Sequence, residues 1–150
     1  MKSAARVRDG IIAVCVPPAA GRHDREKASA RFAIAGHPPV LRVGTAGAVV
    51  ERFGQGAYPL GIKQGRAYEF EEGRLAPGES LVLHSDGLPE ARDAEGREFG
   101  DGRVLSVLAR TAGQSAAEVA AALSGEVLSF LGRRPVGDDV SIAVIRRSPA

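Results

Sequence analysis

The segment SLVLHSDGLPEA, residues 80 to 91, carries the most specific structural signal in this 150-residue chain. Its first half, Ser80 to His84, has the length and apolar content of a buried strand. Asp86 follows that strand and precedes Gly87, a residue without a side chain that lets another part of the backbone approach closely. We therefore expect a carboxylate at a strand end, beside a point of close backbone contact.

A second acidic pair precedes the last apolar run of the sequence. The stretch GDDVSIAV, residues 137 to 144, places Asp138 and Asp139 at the entrance to a strand. Carboxylates that converge from strand ends, without a cluster of Cys or His, favour Mg²⁺ or Mn²⁺ over structural zinc. Each pair by itself is also compatible with an ordinary turn or a solvated cap, so the residues alone leave both interpretations open.

The composition predicts one soluble globular domain over residues 1–150. The chain is 44% hydrophobic and 25% charged, with a net charge of only +2. It has no stripe of basic residues interleaved with aromatic ones, which argues against nucleic-acid binding. No apolar run approaches the roughly 18 residues of a membrane span, so we expect no membrane partner and a cytoplasmic location.

Other kinds of site find little support. The single cysteine, Cys15, excludes an intrachain disulfide and lies in an apolar run, where a buried small side chain is favoured over a reactive thiol. The sequence has no phosphate-binding loop, and no Gly-x-Ser-x-Gly motif surrounds Ser85. His37, in the stretch GHPP, is either a polar group at a site or a turn histidine packed on proline.

The apolar pattern predicts strands first and helices late. Strands are expected over residues 11–16, 31–35, 40–43, 48–53, 67–72, 80–84 and 140–145. A short amphipathic helix should lie between Gly102 and Gly113, and a second should begin at a capping box formed by Ser115 and Glu118. Short turns between strands favour an α+β fold with largely antiparallel sheets and two late helices. Residues 1–10 form a leader without clear structure, and residues 17–30 are predicted to be a mobile loop.

Taken together and in order, these motifs closely resemble a known phosphatase family. The matching segments are AGHPP (35–39), YPLG (58–61), LAPGESLVLHSDGLPEAR (75–92), EFG (98–100) and GDDVSIAV (137–144). They are similar to the C-terminal portion of the bacterial SpoIIE/RsbU-type phosphatases, a branch of the metal-dependent PPM (PP2C-like) protein serine/threonine phosphatases. The resemblance extends from about residue 11 to residue 146.

The resemblance implies an αββα sandwich with two Mn²⁺ or Mg²⁺ ions between its sheets. It makes Asp86 and Asp138 metal ligands, with Asp139, Gly87 and His37 as supporting residues and no side chain as a covalent catalyst. The implied reaction is hydrolysis of phosphoserine or phosphothreonine by a metal-activated water, on a regulatory protein such as an anti-sigma-factor antagonist. Signalling through sigma-factor control is the implied setting.

One departure from the family pattern opens an alternative. The family carries an upstream Gly-Asp motif whose aspartate bridges both metals, and no such motif precedes Ile11 here; Asp9-Gly10 lacks the glycines that should follow. We therefore expect a sandwich that is incomplete at the N-terminus, with at most one weakly held ion. The alternative function is a catalytically incompetent phosphatase-like fragment or binding module. Residues 11–16 would then form an exposed or half-covered strand, which favours self-association.

Overall fold

The computed structural model describes residues 3–7, 10–15, 29–54, 58–60, 62, 67–135 and 137–149. Side-chain surroundings are described from residue 29 onward. In chain order the described elements are β1 (Ser3–Val7), β2 (Gly10–Cys15), β3 (Ser29–Ala35), β4 (Val40–Val43), β5 (Val49–Phe53), β6 (Glu71–Arg74), β7 (Ser80–His84), α1 (Gly100–Arg110), α2 (Ala116–Leu131) and β8 (Ile142–Arg146).

The strands form two four-stranded antiparallel sheets. Sheet 1 has the order β1-β2-β3-β6 and sheet 2 the order β5-β4-β7-β8. Strand β7 is central in sheet 2, where Leu81 pairs with Arg42 of β4 and with Ile145 of β8. This position fixes the direction in which the chain leaves β7, and therefore where Asp86 lies.

One apolar cluster joins the two sheets. Phe32 of β3 and Phe53 of β5 stack with ring centroids 4.7 Å apart, and both are buried together with Val40 and Leu81. Such a stacked pair contributes about 1 kcal/mol beyond the area it buries. Gly73 of β6 leaves room for it, because a Cβ atom there would lie 2.5 Å from the Phe53 ring.

A second cluster covers the other face of sheet 2 with the two helices. Leu41 and Val82 of the sheet pack against α1 and α2. The helical members buried there are Val104, Val107, Leu108, Val119, Leu123, Val127 and Leu131. In α2 these residues recur at helical spacing, and the predicted capping box is present: Glu118 N–H donates to the Ser115 hydroxyl, and Ser115 N–H donates to the Glu118 carboxylate. Sheet 2 therefore lies between sheet 1 and a helical layer, as expected for this α+β sandwich.

The prediction of a strand over residues 67–72 was wrong in position. Strand β6 covers Glu71–Arg74, and Phe70, which lies inside the predicted strand, is outside β6 and 59% exposed. The inward position of β6 belongs instead to Gly73, because the Phe53 ring fills the space where a side chain would stand. The Phe70 ring lies under the Arg31 guanidinium at 5.0 Å, an exposed cation–π contact that apolar alternation does not reveal.

Four further points differ from the predicted pattern or extend beyond it. Strand β2 is not an edge strand, because β1 pairs with it on one side and β3 on the other. The last strand begins at Ile142 rather than at residue 140, and α1 begins at Gly100, two residues before the predicted limit. Most of the loop predicted over residues 17–30 lies outside the described residues, and its last two residues belong to β3.

Candidate functional site

Ser85 joins the end of β7 to the segment that precedes β8. Its side chain is fully buried, and its hydroxyl donates to the carbonyl oxygen of Asp139 at 2.8 Å. The same hydroxyl accepts a hydrogen bond from the Ser141 N–H at 2.9 Å, and the Ser85 N–H donates to the Ser141 carbonyl at 3.0 Å. These three bonds hold the two acidic segments side by side.

Gly87 lies directly against the second acidic segment. A Cβ atom at this position would be 2.6 Å from the Asp139 carbonyl oxygen and 3.4 Å from that of Asp138. Real Cβ atoms do not approach a backbone oxygen so closely, so any other residue would push the segments apart. The absence of a side chain at Gly87 is therefore what allows the segment after β7 to lie against the backbone of Asp138 and Asp139.

The two predicted ligands have similar local geometry. Asp86 is half-buried and its Oδ1 accepts a hydrogen bond from the Gly87 N–H at 3.0 Å. Asp138 is exposed and its Oδ1 accepts one from the Asp139 N–H at 2.7 Å. In the described part of the chain, neither carboxylate has a further hydrogen-bond donor. Each aspartate therefore retains oxygen lone pairs for an external ligand.

His37 lies close enough to Asp86 to be affected by its charge. It follows Gly36, which has φ +68° and packs so closely on Pro59 that a Cβ atom there would be 2.6 Å from the proline ring. The contact brings the motifs GHPP and YPLG together. Burial lowers the pKa of His37, the Pro38 carbonyl opposes that effect, and charge interactions with His84 and Asp86 lower and raise it, respectively.

The hydrogen bond of the His37 ring determines which of its nitrogens carries the proton. Its Nδ1 lies 2.7 Å from the Pro38 carbonyl oxygen, which can only accept a hydrogen bond, so Nδ1 carries the proton. With its pKa below the ordinary value, the ring is neutral at pH 7 and has a lone pair on Nε2. His37 is thus held by its hydrogen bond to the Pro38 carbonyl, next to the tight contact of Gly36 with Pro59, and it is affected by the charge of Asp86.

The side chains at the site are of the type that binds a hard cation, but they are too few to complete its coordination shell. Aspartate oxygens are the ligands that Mg²⁺ and Mn²⁺ prefer. Among the residues that the structure describes, however, no group of three or more His, Cys, Asp or Glu side chains could hold a metal ion. If Asp86 and Asp138 held an ion, they would supply only part of its coordination shell.

Sequence reasoning missed two parts of this region. Ser85 was considered only as a nucleophile, whereas in the structure it connects two backbone segments. Asp93 is also buried, and its carboxylate accepts hydrogen bonds from the backbone N–H groups of Glu95 and Arg97 and from the Arg97 side chain. The only signal for Ser85 was its position as a polar residue directly after an apolar strand, and no sequence pattern pointed to Asp93.

Comparison with known families supplies evidence that does not depend on the individual motifs. The family model described as Stage II sporulation protein E (SpoIIE) matches residues 11–148. The chain belongs to the SpoIIE family. No curated protein sequence matches it significantly.

Solved structures give the same result for the fold of this SpoIIE-family chain. The SiaA-PP2C domain of Pseudomonas aeruginosa is 27% identical with a TM-score of 0.68, covering 91% of this chain and 50% of that one. The structure of the RsbU and RsbW domains of a Mycobacterium tuberculosis protein is 26% identical with a TM-score of 0.64, and the match covers 94% of this chain and 38% of that one. The phosphatase domain of SpoIIE from Bacillus subtilis, presoaked with Mn, is 19% identical with a TM-score of 0.65, and the match covers 93% of this chain and 56% of that one.

These coverages show that the comparison includes only part of each solved chain. The chain spans between about a third and three fifths of the solved chains it matches. The fold is that of PP2C-like phosphatase domains, and family membership supports phosphatase chemistry. Separately, none of the described helices is long and apolar enough to cross a membrane.

Proposed function

We propose that this chain supplies the Asp86–Asp138 portion of a metal-dependent phosphatase that hydrolyses phosphoserine or phosphothreonine on a regulatory protein. The observation that supports the proposal is the contact between two segments distant in sequence, through Ser85 and Gly87, which brings the segments that carry Asp86 and Asp138 side by side. An arrangement this specific is unnecessary for two solvated turns. Its chemistry agrees with that of the family to which the chain belongs.

Asp86 and Asp138 are the residues that would hold a Mn²⁺ or Mg²⁺ ion. Such an ion, when bound, supplies hydroxide at neutral pH and positive charge for the phosphoryl oxygens. The contribution of the chain itself is positional: Ser85 fixes the spacing of the two segments, and the N–H groups of Gly87 and Asp139 orient the two carboxylates. Neutral His37 has an Nε2 lone pair that can accept a proton near the site.

The regulatory setting is part of the proposal. An anti-sigma-factor antagonist, a small phosphorylated protein, is the substrate type that the family resemblance implies. Support comes from the similar Mycobacterium tuberculosis structure, in which RsbU and RsbW domains occur together. The substrate phosphate would bind at the ion held by Asp86 and Asp138, and the flanking chain would lie along the adjoining surface.

A second candidate function is a phosphatase-like binding module without turnover. It is favoured by the small donor set, because two carboxylates in the described residues do not offset the charge of two divalent ions. A module of this kind would retain the sandwich and its surface and bind a phosphoprotein without hydrolysing it. The two candidates differ only in phosphate release.

Phosphate release from a phosphoserine peptide by residues 1–150 separates the two. For the enzyme we expect release that requires Mn²⁺, disappears with chelator, and is lost in Asp86→Asn while Asp101→Asn, an exposed aspartate in the first turn of α1, leaves it unchanged. A sample with native circular dichroism that releases no phosphate over a range of Mn²⁺ and Mg²⁺ concentrations would overturn the enzyme and favour the module. An in-frame upstream segment encoding a Gly-Asp motif would instead favour the enzyme.

A further inference from the structure

Two adjoining clefts lead away from the candidate site and share Arg134. The first, about 400 Å³, is lined by Gly87 and Asp138 of the site and by Arg92 and Arg134. The second, about 440 Å³, continues past the C-terminal end of α2 and is lined by Arg97, Arg103, Arg133 and Arg134 around Phe130. We refer to the two clefts together as the arginine groove. It is continuous with the site at Asp138.

Several arginines in the groove are fixed in place without being neutralised. Arg103 donates from Nη1 to the Phe99 carbonyl oxygen at 2.9 Å, and its guanidinium lies 4.5 Å from the Phe130 ring centroid. Arg134 donates from Nη1 to the Asp93 carbonyl oxygen at 2.6 Å. A carbonyl oxygen or an aromatic ring positions a guanidinium but leaves its unit charge uncompensated.

The other two arginines that line the groove, Arg92 and Arg97, are neutralised by carboxylates. Arg97 forms ion pairs with Asp93 and Glu95, and Arg92 forms one with Glu98. By contrast, no described carboxylate lies within ion-pair distance of Arg103, Arg133 or Arg134. Three guanidinium groups thus face the groove with their charge available to an anion from outside the chain.

The support beneath Arg134 is rigid. The Asp93 side chain is buried, and the hydrogen bonds it accepts from Glu95 and Arg97 fix the 93–97 loop. The carbonyl that holds Arg134 therefore belongs to a loop with a fixed shape. Preorganised donors bind with less loss of side-chain entropy than free ones.

We propose that the arginine groove binds an acidic segment of the protein substrate, next to the phosphorylated residue at the Asp86–Asp138 site. The inference rests on the proposed function and deepens it by naming a substrate feature. Carboxylates spaced along a peptide suit this surface because Glu90 and Glu95 interrupt the row of arginines. A continuous phosphate backbone would meet those two negative groups, which disfavours nucleic acid.

Binding of labelled peptides to the whole chain tests the groove without requiring turnover. The probes are a peptide with Asp and Glu around a central serine, its phosphoserine form, and a version in which Asn and Gln replace the acidic residues. We expect the acidic peptide to bind roughly five- to tenfold more tightly than the neutral one, and the difference to shrink as salt is raised. Equal affinity for the acidic and neutral peptides would overturn the proposal.

The matched variants are R133Q/R134Q and R52Q/R74Q. Both remove two exposed arginines, but Arg52 and Arg74 lie on β5 and β6, outside the residues that line the groove. We expect only the first variant to lose the preference for the acidic peptide. R133Q alone, which removes no hydrogen bond recorded in the structure, should lose part of it and keeps the test valid if the double variant misfolds.

Three further outcomes are informative. If phosphate release fails while the acidic preference persists and depends on Arg133 and Arg134, the groove stands and catalysis by this chain fails. If release occurs with equal rates for acidic and neutral phosphopeptides, the groove proposal fails and catalysis stands. Binding of a DNA duplex as tight as that of the acidic peptide would also overturn the groove as a protein-binding surface.

Discussion

The Ser85 hydroxyl and the Asp139 carbonyl oxygen are 2.8 Å apart, although 54 positions separate the two residues. A buried serine thus forms the connection between the acidic segments, and its chemical reactivity plays no part in this. Because the hydroxyl also accepts from the Ser141 N–H, it satisfies one acceptor and one donor of the segment before β8. The candidate site therefore depends on a serine whose side chain is buried.

Replacing Ser85 with alanine should destabilise the chain and separate the two aspartates. The change leaves the Asp139 carbonyl and the Ser141 N–H without this partner, which we expect to cost about 2 kcal/mol of unfolding free energy. Urea denaturation measures the loss. Ser106→Ala, at an exposed position of α1, is the control and should change stability by less than about 0.5 kcal/mol. Equal stability of the two variants would contradict the role of Ser85.

Adding a methyl group at Gly87 should be harmful, whereas the same change at Gly102 should not. The new Cβ of Gly87→Ala would lie 2.6 Å from the Asp139 carbonyl oxygen, so the segment must move, at a cost of about 1–3 kcal/mol. At Gly102 of α1 a Cβ atom meets nothing within 4 Å, and alanine should raise helix stability by roughly 0.5–1 kcal/mol. Thermal unfolding of both variants checks the opposite signs.

Calorimetric titration of residues 1–150 with Mn²⁺ should show one weak site or none. The described residues offer two carboxylates at the site, too few to compensate the dehydration of two ions. Asp86→Asn and Asp138→Asn should each weaken binding, and Mn²⁺ should bind more tightly than Mg²⁺. Asp101→Asn controls for the loss of one negative charge. Two tight sites would show that carboxylates beyond Asp86 and Asp138 complete the centre.

The acid stability of the chain should depend on Asp93. Burial disfavours its charged form, but hydrogen bonds and the charge of Arg97 outweigh burial and lower the pKa of Asp93 below its ordinary value. Its stabilising contribution is therefore complete above the unfolded-state pKa of about 3.9 and is lost as pH falls through the lower folded-state pKa. Denaturation between pH 2 and pH 5 should show a shallower pH dependence in Asp93→Asn. Exposed Asp101→Asn should retain the slope of the parent.

The sequence predicted those parts of the fold in which local pattern and burial agree. Strands β3, β4, β5 and β7, both helices and the capping box at Ser115 lie where apolar spacing and turn residues placed them. In each case the buried face consists of apolar side chains of the element itself. Strand β6 was misplaced because its inward position is filled by the Phe53 ring over Gly73, and a partner in another strand leaves no trace in local alternation.

The candidate site was predictable to a similar extent. The positions of Asp86 and Asp138 at the ends of apolar runs were visible in the sequence, and so was the need for a small residue at Gly87. The connection through Ser85 and the loop held by Asp93 were not, since each depends on backbone groups supplied by distant or irregular segments. A residue that contributes only a backbone N–H or carbonyl group to a hydrogen bond can have almost any side chain, so its identity gives no signal in the sequence.

The pairing of β7 with β8 also determines when the site can form during folding. Helices α1 and α2 are adjacent in sequence and pack on one another through nearby residues, which favours early formation. The register Ser80↔Arg146 instead closes a long loop, and loop-closure entropy delays such contacts. Until β8 docks, the Ser85 hydroxyl has neither Asp139 nor Ser141 to bind. The acidic pair should therefore be assembled in one of the last steps of folding, so that partly folded chains lack it.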